Sequence, residues 1–190
     1  YIHVYYIEML TNFDIEELAV KMDIPLEGVY FKNELPKKIK HNRFYVINLE
    51  DSVDEKTNER NDGSHWVALQ VNNTNNKIEP IYFDSYGALP PKDVIEFAGV
   101  KKLVSNEKDI QSIVSDVCGF YCLAFGHYIN SSPFRTGIFY RDIEDFLSVF
   151  EDLTFSVDFQ KNEYILKMFF KPRPDELDAV LNKKIANIGL

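Results

Sequence analysis

The chain has two cysteines, Cys118 and Cys122, and their surroundings differ in a way that matters for chemistry. Cys118 follows the polar pair Ser115-Asp116 and opens the apolar run 118–129. Such a run, apolar nearly all round, reads as a helix buried in the middle of a domain. A cysteine in the first turn of a helix faces unpaired N–H groups and the positive end of the dipole, which favour the nucleophilic thiolate. Ser115 and Asp116 are candidate caps, and Gly119 lets other backbone approach closely at the helix start. Cys122 sits one turn deeper beside Leu123, Ala124 and Phe125. Desolvation there disfavours a charged thiol, so Cys122 reads as buried and inert.

A nucleophilic thiol needs an imidazole within hydrogen-bond reach, and the chain offers His3, His41, His65 and His127. His127 lies nine residues beyond Cys118 on the same helix. At about 100° per residue it falls on roughly the opposite face and about 13 Å along the axis, which excludes it. His3, in a terminal segment, and His41, in a Lys-rich connection, read as surface histidines. His65 begins a strand after Gly63-Ser64, at a sheet edge where loops build sites. A His-Trp pair alone is an ordinary structural feature, and its partners give it weight. Asp84 ends the apolar run Ile81-Tyr82-Phe83 and precedes the turn Ser85-Tyr86-Gly87. Antiparallel pairing of the two strands brings Asp84 beside His65, where a carboxylate holds the imidazole tautomer and stabilises its charge. Gln111 precedes the central helix, and its amide together with the Cys118 backbone N–H supplies the two donors that an acyl-transfer oxyanion requires. Alone, Gln111 would be an ordinary strand-end glutamine.

The elements that must position these groups are legible in part. Ile15, Leu18, Ala19 and Met22 recur at helical spacing within residues 12–23, with Asn12 as the expected cap. Residues 28–36 read as a loop. Residues 43–49, 65–71 and 78–84 are rich in Val, Ile, Phe and Tyr and read as neighbouring strands of a mainly antiparallel sheet. The Asn-rich stretch 72–76 reads as a hairpin turn, and the charged stretch 50–63 as a mobile surface loop, a candidate flap ahead of His65. Pro90-Pro91 starts a helix over 92–98, and residues 101–105 and 109–114 read as short edge strands or extended connections. Helices are expected over 140–150 and 174–184, with a strand over 164–170.

Length and charge bound the rest. At 190 residues the chain fits one domain with a substantial core. Its formal charge of −9 opposes long-range attraction to nucleic acid or anionic lipid and favours a protein or peptide partner. No apolar run reaches membrane-spanning length, and no signal peptide opens the chain. The two cysteines, one helical turn apart, are poorly placed for a disulfide and suit a reducing, intracellular setting. No cofactor is implied. A zinc site of Cys118, Cys122 and His127 lacks a fourth ligand, and His127 points away.

Taken in order, His65-Trp66, then Phe83-Asp84-Ser85-Tyr86-Gly87, then Gln111, then Cys118-Gly119-Phe120-Tyr121-Cys122 resemble the adenovirus endopeptidase (adenain) family and its relatives, the SUMO and ubiquitin-like-protein proteases. The resemblance covers about residues 10–130, and the last sixty residues are unmatched. The spacing of seven from Gln111 to Cys118 is like that of the viral branch. The resemblance implies an α+β fold of papain-like core, with the nucleophile's helix packed against a mainly antiparallel or mixed sheet. It implies a cysteine endopeptidase with catalytic Cys118, His65, Asp84 and Gln111, cutting after small residues and often after Gly-Gly. Viral capsid or structural precursors are the implied substrates, and the host cytoplasm, the nucleus or the virion the implied location. Trp66 would cover a narrow channel that admits glycine, with Asn48 and residues 50–63 bordering it, although Trp66 also suits a plain core aromatic. The acid is Asp rather than the viral family's Glu. The acidic chain and its lack of a spare cysteine argue against the DNA and the disulfide-tethered activator of the adenovirus enzyme, and leave room for a noncovalent peptide activator. Two alternatives stand beside this reading: an isopeptidase removing ubiquitin-like modifiers, and an inactive binding module that keeps the groove.

Overall fold

Helix α1 (Asn12–Lys21) begins on a capping box in the computed structural model, which describes residues 9–101, 103–131, 139–154 and 159–170. The cap is Thr11 rather than Asn12: the Thr11 hydroxyl accepts from the Asp14 N–H, and the Asp14 carboxylate accepts from the Thr11 N–H at 2.8 Å. That reciprocal pairing satisfies two backbone donors that would otherwise be orphaned. Ile15, Leu18 and Ala19 then form its buried face.

Five strands make one mixed sheet in the order β1-β2-β3-β4-β5: β1 (Leu26–Phe31), β2 (Arg43–Asn48), β3 (Trp66–Thr74), β4 (Lys77–Phe83) and β5 (Val104–Ser105). The two central pairings, β2 with β3 and β3 with β4, are antiparallel; the two outer ones are parallel. The expected loop over 28–36 is therefore corrected to a strand and a short 3-10 turn, Lys32–Glu34. A bulge between Leu26 and Gly28 and uniform half-burial remove the alternation that identifies a strand. The β3–β4 hairpin closes tightly at Asn75-Asn76, both at positive φ, as the twist of a two-residue turn demands.

Alternation sorts the sheet residues onto two covered faces. Phe44, Val46, Trp66, Ala68, Ile81 and Phe83 pack against the helices of one side, whereas Tyr45, Ile47, Val67, Leu69, Val71 and Tyr82 pack with Val94 and Ala98 of α2 (Lys92–Ala98). Burial on both faces explains why these strands read as continuous apolar runs. Each such side chain contributes roughly 1.5–3 kcal/mol relative to exposure.

The central helix α3 (Cys118–Asn130) lies on the first face, with ten of its residues buried. Its glycines set the approach: a Cβ on Gly126 would come within 2.8 Å of the Phe44 ring, and one on Gly119 within 3.2 Å of the Leu10 side chain. Gly119 thus makes room for a side chain rather than for backbone. Helix α4 (Phe139–Ser148) places Ile143, Phe146 and Leu147 in the same core. Residues 159–168 form helix α5 (Phe159–Met168), which corrects the strand expected over 164–170. Leu166 and Phe170 are buried at helical spacing, and the Phe169 ring stacks on Phe150. The helix expected over 174–184 lies outside the described residues, as does His3.

Residues 50–63 are more ordered than a plain loop. Val53 and Arg60 form a β-bridge, Asp54 caps its own turn through Lys56 N–H and Thr57 N–H, and Ser52 is tied to Asn33. Residues 109–114 pair with no strand, which corrects the edge strand or extended connection expected there: they bend at Gln111 and enter a turn closed by the Ser115 N–H on the Ser112 carbonyl at 3.0 Å. Among the described residues, no helix is long and apolar enough to cross a membrane.

Candidate active site

The last ladder pair of the hairpin, Ala68 with Phe83, leaves His65 and Asp84 side by side at the end of the sheet. His65 Nε2 lies 2.8 Å from Asp84 Oδ1. Asp84 is fully buried and the His65 side chain is 14% exposed, so the pair is screened from water. Three donors converge on the carboxylate: the His65 ring, the Tyr86 N–H at 2.8 Å on the same oxygen, and the Tyr82 hydroxyl at 3.3 Å on the other. The carboxylate fixes Nε2 as a proton-bearing nitrogen, so Nδ1 is the one left to gain and lose a proton.

Cys118 reaches this corner from α3. The Trp66 N–H donates to its sulfur at 3.4 Å, and the Cys122 thiol donates back to the Trp66 carbonyl at 3.4 Å. Two thiols one helical turn apart thus grip the peptide of Trp66, the residue after His65, and fix α3 against β3. The imidazole feels the sulfur directly. Burial opposes charge on the ring, but the hydrogen bond to Asp84, the adjoining Cys118 sulfur and the negative charge of both outweigh it and raise the His65 pKa to about 9. Nδ1 is nevertheless buried without a well-formed hydrogen bond among the described residues. Ring and sulfur adjoin without good alignment, as is common in acid–base pairs before substrate binds. Burial, ahead of all other influences, pushes the Cys122 thiol up, which suits the inert role read from its neighbours.

The start of α3 differs from expectation. Its N-cap is Val117, with no side-chain cap: Ser115 and Asp116 lie ahead of the cap position, and the Ser115 hydroxyl donates to Glu163 of α5 at 2.8 Å. The N-cap residue thus offers the first-turn N–H groups beside Cys118 no side-chain acceptor.

Gln111 is brought to the same corner, 2% exposed, with its amide engaged. Its Oε1 accepts from the Ser85 hydroxyl at 2.7 Å, and its Nε2 donates to the Ser115 carbonyl and to the Tyr86 hydroxyl at 3.2 Å. Trp66 is 2% exposed in the helix-side core, and its indole donates to the Leu10 carbonyl at 2.9 Å. Asn48 is fully buried and clamps the base of the 50–63 excursion, accepting from the N–H groups of Glu50 and Ser64. Gly63 must be glycine there: its φ is +91°, and a Cβ would fall 2.3 Å from Asn48 Nδ2. Trp66 and Asn48 thus support the site from beneath.

Four contributors escaped the sequence reading. Tyr86 stacks on His65, ring centroids 4.5 Å apart and planes at 28°. Asn106 pairs with the backbone of Asp84 on both sides, accepting from its N–H at 2.9 Å and donating to its carbonyl at 2.6 Å. Asn162 of α5 donates to the Ile110 carbonyl at 3.0 Å, and Glu163 holds Ser115. Only Tyr86 left a trace in sequence, two residues past the acid. His41 is exposed, and His127 donates to the Met22 carbonyl, so neither serves this site.

Among the described residues, no group of three or more His, Cys, Asp or Glu side chains is arranged to hold a metal ion. A separate pocket of about 580 Å³ between Asn106–Lys108 and α4 carries no cysteine or histidine. Compared with known proteins, the chain matches no family model and no curated sequence.

Proposed function

We propose that the chain is a cysteine endopeptidase of the adenovirus endopeptidase and SUMO-protease kind, with a papain-like core. The observation that carries this reading is the convergence of Cys118, His65 and Asp84 from the start of a helix and the residues flanking two paired strands, with an imidazole that favours its protonated form. In the proposed reaction His65 Nδ1 takes the Cys118 proton, and the sulfur forms a bond to the scissile carbonyl carbon. The C=O pair moves onto oxygen as an oxyanion. Its collapse breaks the C–N bond, and the His65 imidazolium gives its proton to the departing amine. Water, deprotonated by His65, then hydrolyses the thioester. Asp84 holds the ring in the required tautomer throughout.

Cys118 is only 2% exposed, which supports a substrate whose backbone comes close, with small residues such as Gly-Gly before the scissile bond. Trp66 and Asn48 would shape that approach from below. We extend the reading to viral capsid or structural precursors as substrates, with a noncovalent peptide activator as a further partner. Offering a precursor-type Gly-Gly peptide alongside a SUMO or ubiquitin conjugate tests it. Cleavage of the conjugate alone would move the chain to the isopeptidase class, and cleavage of neither to an inactive groove.

The pH profile carries a sign. His65 must be protonated to release the amine, and its raised pKa keeps the proton until the pH passes about 9. The expected result is a kcat/KM that falls as pH rises through about 9. An alkaline limb near the ordinary imidazole value of 6.5 would show that Asp84 and Cys118 do not hold that proton.

A further inference from the structure

We propose that the Tyr86 hydroxyl delivers the side-chain hydrogen bond to the oxyanion, and that Gln111 is the residue that positions it. The inference rests on the cysteine protease reading and changes the role of one expected residue.

A primary amide has two N–H donors. Both of those on Gln111 are in use, one on the Ser115 carbonyl and one on the Tyr86 hydroxyl. Its oxygen is held by the Ser85 hydroxyl, and the side chain is buried. Reaching a substrate would cost one of these bonds. Tyr86 has the opposite balance. Its hydroxyl oxygen accepts from Gln111, while its own proton has no acceptor among the described residues. The rest of Tyr86 is fixed: its ring stacks on His65, and its backbone N–H is bound to Asp84. A phenol that accepts one hydrogen bond becomes a better donor through the other. Burial first, and then the negative charge of Cys118, push the Tyr86 pKa up to about 12, so the proton stays on the oxygen and the hydroxyl lies within the field of the nucleophile. A neutral, half-buried donor whose ring lies on the His65 imidazole, free on the side not taken by Gln111, is what a developing oxyanion needs.

In the proposed step the Cys118 thiolate bonds to the carbonyl carbon and the displaced π pair resides on the carbonyl oxygen. The Tyr86 O–H donates a hydrogen bond to that oxygen without losing its proton. The bond is released when C=O re-forms and the amine leaves.

Tyr86→Phe keeps the ring on His65 and removes only the hydroxyl. On a Gly-Gly peptide substrate it should lower kcat by roughly 10²–10³ with KM little changed. Alkylation of Cys118 by iodoacetamide should proceed at the wild-type rate, because that reaction forms no oxyanion. If Gln111 acts through Tyr86, Gln111→Ala should cost little more once Tyr86→Phe is in place, a non-additive pair. An unchanged kcat in Tyr86→Phe overturns the proposal. So does a parallel loss in kcat and alkylation rate, which would mean that the hydroxyl serves the thiolate–imidazolium pair, and so does full additivity with Gln111→Ala. If instead the wild-type protein neither cleaves the peptide nor shows His65-dependent alkylation of Cys118, the protease reading itself has failed.

Discussion

Cys118→Ala should abolish peptide-bond hydrolysis, on the order of 10⁶-fold in kcat, the usual cost of removing a nucleophile. The fold should survive. Among the described residues the sulfur accepts a weak N–H···S contact from Trp66 and adjoins the His65 ring, and alanine still fits the start of α3, so the stability loss should be about 1 kcal/mol. Circular dichroism and thermal melts check that half, and initial rates with a Gly-Gly peptide check the other. Cys122→Ala is the control. That thiol is fully buried, its ionisation is pushed up by burial, and its hydrogen bond is to the Trp66 carbonyl rather than into the site. It should keep most of the turnover. Equal losses in the two variants would mean that the nucleophile is misassigned.

His65→Gln should be nearly as damaging, with kcat reduced on the order of 10⁵–10⁶. Glutamine is chosen because its amide can still donate to Asp84 Oδ1. Alanine would leave a fully buried carboxylate with, among the described residues, the Tyr86 N–H and the Tyr82 hydroxyl as donors, and would mix a stability loss into the result. Gln can neither take the Cys118 proton nor protonate the departing amine. The Cys118→Ala/His65→Gln double variant should be no worse than either single change, because the two groups act as one unit. A His65→Gln protein that retained turnover within tenfold would place the base elsewhere.

Much of the scaffold was legible because its signals are local. The run from Cys118 to Ile129 is apolar on every face and has helical length, and α3 occupies it almost residue for residue. The β3–β4 hairpin was legible from its Asn-rich turn, and with it the meeting of His65 and Asp84. Strand β1 was not, because its parallel pairing to β2 involves no hairpin and its half-burial leaves no alternation. Helix α5 was hidden by its composition: Asn162, its most buried residue, is polar, and a polar residue at a core position breaks the apolar period. That Asn is buried because it satisfies backbone, accepting from the Glu151 N–H and donating to the Ile110 and Glu151 carbonyls.

The site divides in the same way. Residue type and chain order suggested Cys118, His65, Asp84 and Gln111, but not what each side chain touches. The tie from Tyr86 to Gln111 spans 25 residues, that from Asn106 to Asp84 spans 22, and that from Ser115 to Glu163 spans 48. Contacts of this range follow from the packed fold and leave no periodicity behind. The expectation that Ser115 or Asp116 caps α3 is corrected likewise: the helix starts one residue later, with Val117 at the cap, and Ser115 turns to a partner on a distant helix.

Mapping the site of covalent capture by an electrophilic peptide, a Gly-Gly vinyl ester, tests the central claim most directly. Mass spectrometry of the digested wild-type protein should find one adduct, on Cys118, with Cys122 unmodified. Absence of an adduct, or equal labelling of the two thiols, would contradict the account.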